Sequence, residues 1–293
     1  MSTILNDLKW QYRSGGIVLQ LIILNVALYL IPEVLFTILK ILGLSIDYLS
    51  WVNVSSDPSN LLYKPWSLLT YAFFHAGFFH LLFNMLILNF LGRLFLTYFK
   101  EAQLLSIYLA AAIFAGFIFI LAYNLIPVLQ YHTVPMVGAS GAIMAIVLAT
   151  ATYNPLMEVR LLLIGNVKLW HIALVLVCLD IIQLFTSNTG GRFAHLAGAL
   201  MGYLYMKNLQ NGGNFFNLFD RLANFCLGIK QAKKPAKMRT VHRQTASKPT
   251  NKPVKDSQQQ RVDEILDKIS KSGYDSLSTE EKEFLFRVGH NQY

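Results

Sequence analysis

Three short stretches carry polar side chains into apolar surroundings: His75-Ala-Gly-Phe-Phe-His80-Leu-Leu-Phe-Asn84, Gly138-Ala139-Ser140-Gly141 and Ala194-His195-Leu-Ala-Gly198-Ala-Leu-Met-Gly202. A serine together with a histidine supplies a base-activated nucleophile, provided the two groups come within hydrogen-bond reach. Ser140 is placed to open a helix, where main-chain N–H groups have no intrahelical partners and can stabilise a developing oxyanion. His80 and Asn84 are four apart and share a helical face, so they could add side-chain donors. Taken singly, each of these residues reads as a helix–helix hydrogen bond. Taken together, they read as the parts of an acyl-transfer site.

The elements that must position them follow from composition. The chain has 293 residues, 54% apolar and 14% charged, with mean hydropathy +0.44. A soluble domain carries about 25% charged residues, and a water-soluble surface cannot hide so much apolar side chain. Two cysteines, Cys178 and Cys226, exclude a disulfide scaffold and a Cys-rich zinc module. His75 and His80, five apart, do not share a helical face well, and no other His, Cys, Asp and Glu set has metal-ligand spacing. Neither a metal nor a cofactor is expected.

Six stretches are candidate spans: 17–39, 72–92, 104–126, 138–153, 170–188 and 193–210. The first is too long for a cleavable leader. The fourth and sixth are short and rich in Gly, Ala and Ser, so they are expected inside the bundle. Without barrel-like alternation the spans must be helices. The expectation is an all-α membrane protein, a bundle of six transmembrane helices. Lys9, Arg13, Arg93, Lys100, Arg160, Lys168 and the basic tail fall on one side, which puts both termini in the cytoplasm and the odd-numbered loops outside. The first loop, about 40–65, carries Trp51 and Tyr48 and is expected to lie in the outer headgroup region.

Four segments result: a cytoplasmic N-terminus at 1–16, the membrane domain at 17–210, a basic linker at 211–261 and a helical hairpin at 262–293. Between Lys230 and Lys255 stand nine basic residues and no acidic one. That run points to anionic lipid headgroups rather than nucleic acid. In the hairpin, Ser278-Thr279-Glu280-Glu281 reads as a capping box, and the unit is small enough to expect a docking partner.

Topology gathers the polar residues at one depth. Ser140 and His195 each lie a few residues inside a span that begins outside, within roughly 5–10 Å of its end at 1.5 Å per residue. Gly198 and Gly202 form a small-residue face below His195, and Gly141, Ala145 and Ala149 form one below Ser140. Packing these faces together would bring Ser140 within reach of His195. Asp180 is expected at mid-depth of the fifth span, as a buried hydrogen-bonding group rather than a third catalytic member.

In order, spacing and span placement over roughly 15–210, these three motifs together resemble the rhomboid intramembrane serine proteases. The resemblance implies a Ser140–His195 dyad without a catalytic aspartate. It implies an oxyanion hole from His80, Asn84 and the Ser140 N–H, with His75 at the mouth of the site. Substrates would be transmembrane segments of single-span or multi-span membrane proteins, admitted sideways and unwound locally, and cut near the outer face of a bacterial cytoplasmic (inner) membrane. Two departures stand out: Trp66-Ser67 replaces the family's Trp-Arg pair in the first loop, and Met144 replaces an aromatic four residues after the serine. A non-catalytic relative that binds transmembrane clients is the alternative, although such relatives typically lose the Ser or His kept here. A small transporter or channel would spread polar residues over the whole depth, whereas these cluster near one side.

Overall fold

The computed structural model describes residues 6, 10, 12, 14–130, 133–161, 164–186, 188–213, 215–228 and 257–290. Lys9, Arg13 and the 230–255 basic run lie outside the described residues. The chain forms two compact units, 1–232 and 233–293.

The first unit is mostly helical. Its long elements are α1 (Gly16–Ile41), α2 (Phe78–Leu96), α3 (Glu101–Leu125), α4 (Ser140–Tyr153), α5 (Leu169–Ile182), α6 (Thr189–Gln210) and α7 (Asn217–Cys226). Among the described residues, α1, α2 and α3 are long and apolar enough to cross a membrane, while α4 and α5 are shorter apolar helices. Helix α3 is the central post, with Leu104, Ile107, Tyr108, Ala111, Ala115 and Phe119 fully buried. Helix α4 is buried along nearly its whole length, as its small residues led one to expect. Helices α1 and α5 are peripheral: α1 exposes Leu30, Ile31, Val34 and Leu35, and α5 exposes Leu174, Val175 and Ile182. An outward apolar shell of this kind is unstable in water and stable in lipid. The protein is an integral membrane protein.

Several elements differ from the sequence expectation. Two short antiparallel ribbons interrupt the helices: β1 (Val54–Ser55) with β2 (Pro135–Met136), and β3 (Glu158–Leu161) with β4 (Gly165–Lys168). The second ribbon occupies the α4–α5 connection, where Glu158 pairs with Lys168 and Gly165 turns with φ +90°. Residues 217–226, expected as part of a linker, form α7. Its Phe219 and Ala223 pack on the core beside Phe216, while Phe215, Leu218, Leu222 and Phe225 form an exposed apolar row. Helix α5 stops at Ile182, six residues before the expected end of that span, and a turn over Gln183–Thr186 follows.

The first loop is stitched both to itself and to the strand that leads into α4. Lys64 Nζ donates to the Ser50 carbonyl at 3.0 Å, Trp66 Nε1 to the Trp51 carbonyl at 3.0 Å, and Thr70 Oγ1 to the Val52 carbonyl at 2.9 Å. These bonds anchor the loop where the family's Arg is replaced by Ser67. Ser56 N donates to the Val134 carbonyl and Val134 N to Ser56 Oγ, each at 3.0 Å. Tyr71 and Tyr108 hydroxyls donate to the Ala112 and Ala72 carbonyls at 2.7 and 2.8 Å, fixing this region to α3.

In the second unit, α8 (Ser257–Ser272) and α9 (Thr279–His290) form the hairpin. Its first helix begins before the expected position 262. Ile265 and Leu277 make the small core. Ser278 N donates to Glu281 Oε2 at 2.8 Å and Glu281 N to Ser278 Oγ at 3.3 Å, the reciprocal bonds of a capping box.

Candidate active site

Ser140 is the first residue of α4, and the chain reaches it through Gly138, whose φ of +137° favours glycine. Gly138 N donates to the Tyr71 carbonyl at 2.9 Å. A Cβ at Gly138 would lie 2.8 Å from His80 Cε1, 2.9 Å from its Nε2 and 3.7 Å from Ser140 Oγ. The missing side chain is therefore what lets the His80 ring and the Ser140 hydroxyl flank one short stretch of backbone.

Helices α4 and α6 meet backbone to backbone. A Cβ at Gly198 would collide with the Gly141 carbonyl, and one at Gly202 with the Ala145 carbonyl. A Cβ at Gly141 would sit 3.1 Å from the Ala194 carbonyl oxygen. Close approach without side chains aligns the first turns of the two helices, and it puts the residue before His195 beside the residue after Ser140.

The result is a cavity of about 620 Å³ whose walls include Ser140, His195, His80, Asn84 and Arg192. Exposed Phe79, Phe83 and Ile87 of α2 line one side of it. Ser140 and His195 share the cavity, yet no hydrogen bond joins them among the described residues. The first-turn N–H groups of α4 point toward its N-terminal end and lack intrahelical acceptors. Asn84 Nδ2 donates to its own helix at the His80 carbonyl, 2.8 Å away, which leaves a second amide hydrogen for a ligand.

His75 is not at the mouth. It is 1% exposed and lies behind His80, with ring centroids 5.1 Å apart and planes at 70°. Both its ring nitrogens are buried, with no hydrogen-bond partner among the described residues. The reason is local: Phe74–Gly77 is not helical, so the chain turns His75 inward before α2 begins at Phe78.

The structure also adds a residue that sequence reasoning placed elsewhere. Asp180 is not at mid-depth but in the last turn of α5, two residues before its end, on the buried face with Leu169 and Ala173. His195 Nδ1 lies 3.0 Å from Asp180 Oδ1 and 3.2 Å from Oδ2. Arg192 Nη1 donates to the same Oδ1 at 2.7 Å, and Arg192 Nη2 to Gln183 Oε1 at 2.5 Å. A buried carboxylate inside a bundle needs a cation, and Arg192, in the first turn of α6, is the basic residue that follows Asp180 most closely in the chain; that pairing was the signal available in the sequence. Met144 is buried in α4; the partner gripping the imidazole is the carboxylate.

In chemical terms the cavity offers a hydroxyl, a ring nitrogen, free main-chain N–H groups and two side-chain donors. A Rhomboid domain family model matches residues 63–210, just over half of the chain. A second match, at residues 251–288, is to a family of unknown function (DUF6576), and it covers the hairpin. No curated protein matches the chain significantly.

Proposed function

The chain belongs to the rhomboid family, and we propose that it is an intramembrane serine endopeptidase with Ser140 as nucleophile and His195 as general base. The observation that carries this reading is the shared cavity: Ser140 opens α4, with His195, His80 and Asn84 on the same walls. His195 takes the Ser140 proton as Oγ attacks a substrate peptide carbonyl. The resulting oxyanion is held by the α4 N-terminal N–H groups, His80 and Asn84. The tetrahedral intermediate expels the amine, which leaves with the proton from His195, and an acyl-Ser140 ester remains. Water then repeats the sequence: His195 accepts its proton, and Ser140 Oγ is released with that proton as the acid product departs.

In this reading α1 to α6 all cross the bilayer with both termini cytoplasmic. The cavity lies near the outer face, because α4 and α6 both begin there. Substrates are transmembrane segments of other membrane proteins, reaching the cavity from the lipid past Phe79, Phe83 and Ile87. A helical segment has its carbonyls engaged in hydrogen bonds, so it must unwind locally before attack; small or helix-weakening residues near the outer boundary favour this. The basic run at 230–255 favours anionic lipid on the cytoplasmic side, and the hairpin is a docking unit for a partner.

The test is cleavage of a single-span substrate in proteoliposomes by wild type, Ser140→Ala and His195→Ala. Cleavage by wild type that is lost in both variants supports the reading. Wild type that binds the substrate without cutting it turns the reading to a client-binding relative.

A further inference from the structure

The Asp180 carboxylate is nearly inaccessible, with 4% side-chain exposure. It sits in the last turn of a helix, where the carbonyl end of the helix dipole disfavours an anion. An apolar residue there would cost nothing in a bundle surrounded by lipid, so an ionised group in this place needs its partners. Arg192 and His195 are those partners. They stand three apart on α6, on one face, and both reach the same oxygen, Oδ1, at 2.7 and 3.0 Å.

The two contacts differ in consequence. Arg192 is tied at both terminal nitrogens, by Asp180 and by Gln183, so it holds the carboxylate in one orientation. The carboxylate in turn can only accept from His195, which places the ring hydrogen on Nδ1 and leaves Nε2 as the basic nitrogen. This is the tautomer a general base facing Ser140 requires.

We propose that Asp180 is a positioning residue for His195, held in place by Arg192 and Gln183. The site is then a three-residue arrangement, Ser140–His195–Asp180, rather than the two-residue one that the family resemblance implies. Asp180 accepts the Nδ1–H bond throughout. It stabilises the imidazolium formed when Nε2 takes the Ser140 proton, and it does not take that proton itself. The inference rests on the protease reading above.

The bland alternative is an ion pair that only fastens α5 to α6. Removing one member of a buried pair leaves an uncompensated charge, whereas removing both can be nearly neutral for stability. The experiment therefore compares wild type, Asp180→Asn and the double variant Asp180→Asn/Arg192→Gln. All are full-length and reconstituted with one single-span substrate, and thermal midpoints are recorded beside kcat, KM and the pH–rate profile. Replacing the aspartate of a Ser-His-Asp site by asparagine lowers kcat about 10⁴-fold in the best-studied case. The expected result here is a loss of at least about 100-fold in kcat for both variants, with KM within a few-fold. The acidic limb of the profile moves as well, a readout that an ion pair serving only to fasten α5 to α6 would leave in place. The double variant regains the thermal midpoint but not kcat, so the outcome is readable even where Asp180→Asn folds poorly. The proposal is overturned when Asp180→Asn keeps kcat within threefold with the acidic limb unmoved. It is equally overturned when the double variant recovers midpoint and kcat together. A folded wild type that neither cleaves nor reacts at Ser140 with a fluorophosphonate removes the protease reading, and this inference with it.

Discussion

Substituting Gly198 by alanine tests whether the α4–α6 contact sets the site. The new Cβ would collide with the Gly141 carbonyl oxygen and lie 2.8 Å from its carbon and 3.2 Å from the Gly141 Cα, against an ordinary contact of 3.4–4 Å. The obstacle is main chain on both sides, so no rotamer change relieves it. The helices must separate by at least about 0.6 Å for the carbon alone, the difference between 3.4 and 2.8 Å. Overpacking of this kind costs about 1–3 kcal/mol. The displaced pair carries Ser140 directly beside Gly141 and His195 in the turn above Gly198, so both members of the site shift: a misplacement of about 1 Å costs up to about 100-fold. Gly77→Ala is the matched control. Its φ of −179° suits any residue and nothing lies within 4 Å of the added Cβ, so it should cost under about 1 kcal/mol as an N-cap change. The assay is the thermal midpoint in one detergent, followed by kcat on the single-span substrate after reconstitution. Gly198→Ala should lower the midpoint clearly below that of Gly77→Ala and reduce kcat about 10- to 100-fold. A Gly198→Ala protein with wild-type midpoint and wild-type turnover refutes the argument that backbone contact positions the two residues.

Gly138→Ala adds a methyl group within 3 Å of the His80 ring at a positive φ; kcat should fall at least about 10-fold with a smaller effect on KM, as read from steady-state cleavage. Thr70→Val removes the bond that pins the first loop at the Val52 carbonyl; it should cost about 1 kcal/mol and speed hydrogen exchange around 49–56 more than elsewhere. The Glu281 carboxylate lies below its ordinary value of 4.5, first through the hydrogen bond from Lys268 and then through the Ser278 N–H. A lowered carboxylate contributes stability that is complete above the unfolded value and fades as pH falls through the folded one. Hydrogen-exchange protection in the first turn of α9, corrected for intrinsic rates, should therefore hold above the ordinary carboxyl value of 4.5 and fall as the pH drops below it; Glu281→Gln should remove that pH step.

Much of the site was legible because its requirements are local. Ser140 after Gly138, and His195 above Gly198 and Gly202, follow from residue type and helical spacing, and the short apolar stretch 138–153 marks α4 to within two residues. Ends of helices were harder to read where the sequence carries no stop signal. Ile181 and Ile182 close α5, and Leu184 and Phe185 continue the apolar run past it, so Asp180 read as mid-span. Near that helix end Asp180 is held by tertiary contacts, the clamp by Arg192 and the link to His195, which apolar periodicity does not report. His75 was placed at the mouth by the resemblance alone, within a span expected to start at 72, whereas α2 begins at Phe78 and His75 is buried before it. The residues 217–226 lay between a span and a basic run, and their amphipathic row was lost in the linker's composition. The ribbons depend on pairings 80 residues apart or on a turn at Gly165, which apolar periodicity does not report.

The central claim is that Ser140 is a nucleophile activated by His195. Its most direct test is to treat the purified, folded full-length protein with a fluorophosphonate and locate the adduct by peptide mass spectrometry. The account predicts a single adduct on Ser140 in wild type, none in Ser140→Ala, and labelling slowed at least about 100-fold in His195→Ala. An adduct on another serine, or equal labelling of wild type and His195→Ala, would contradict it.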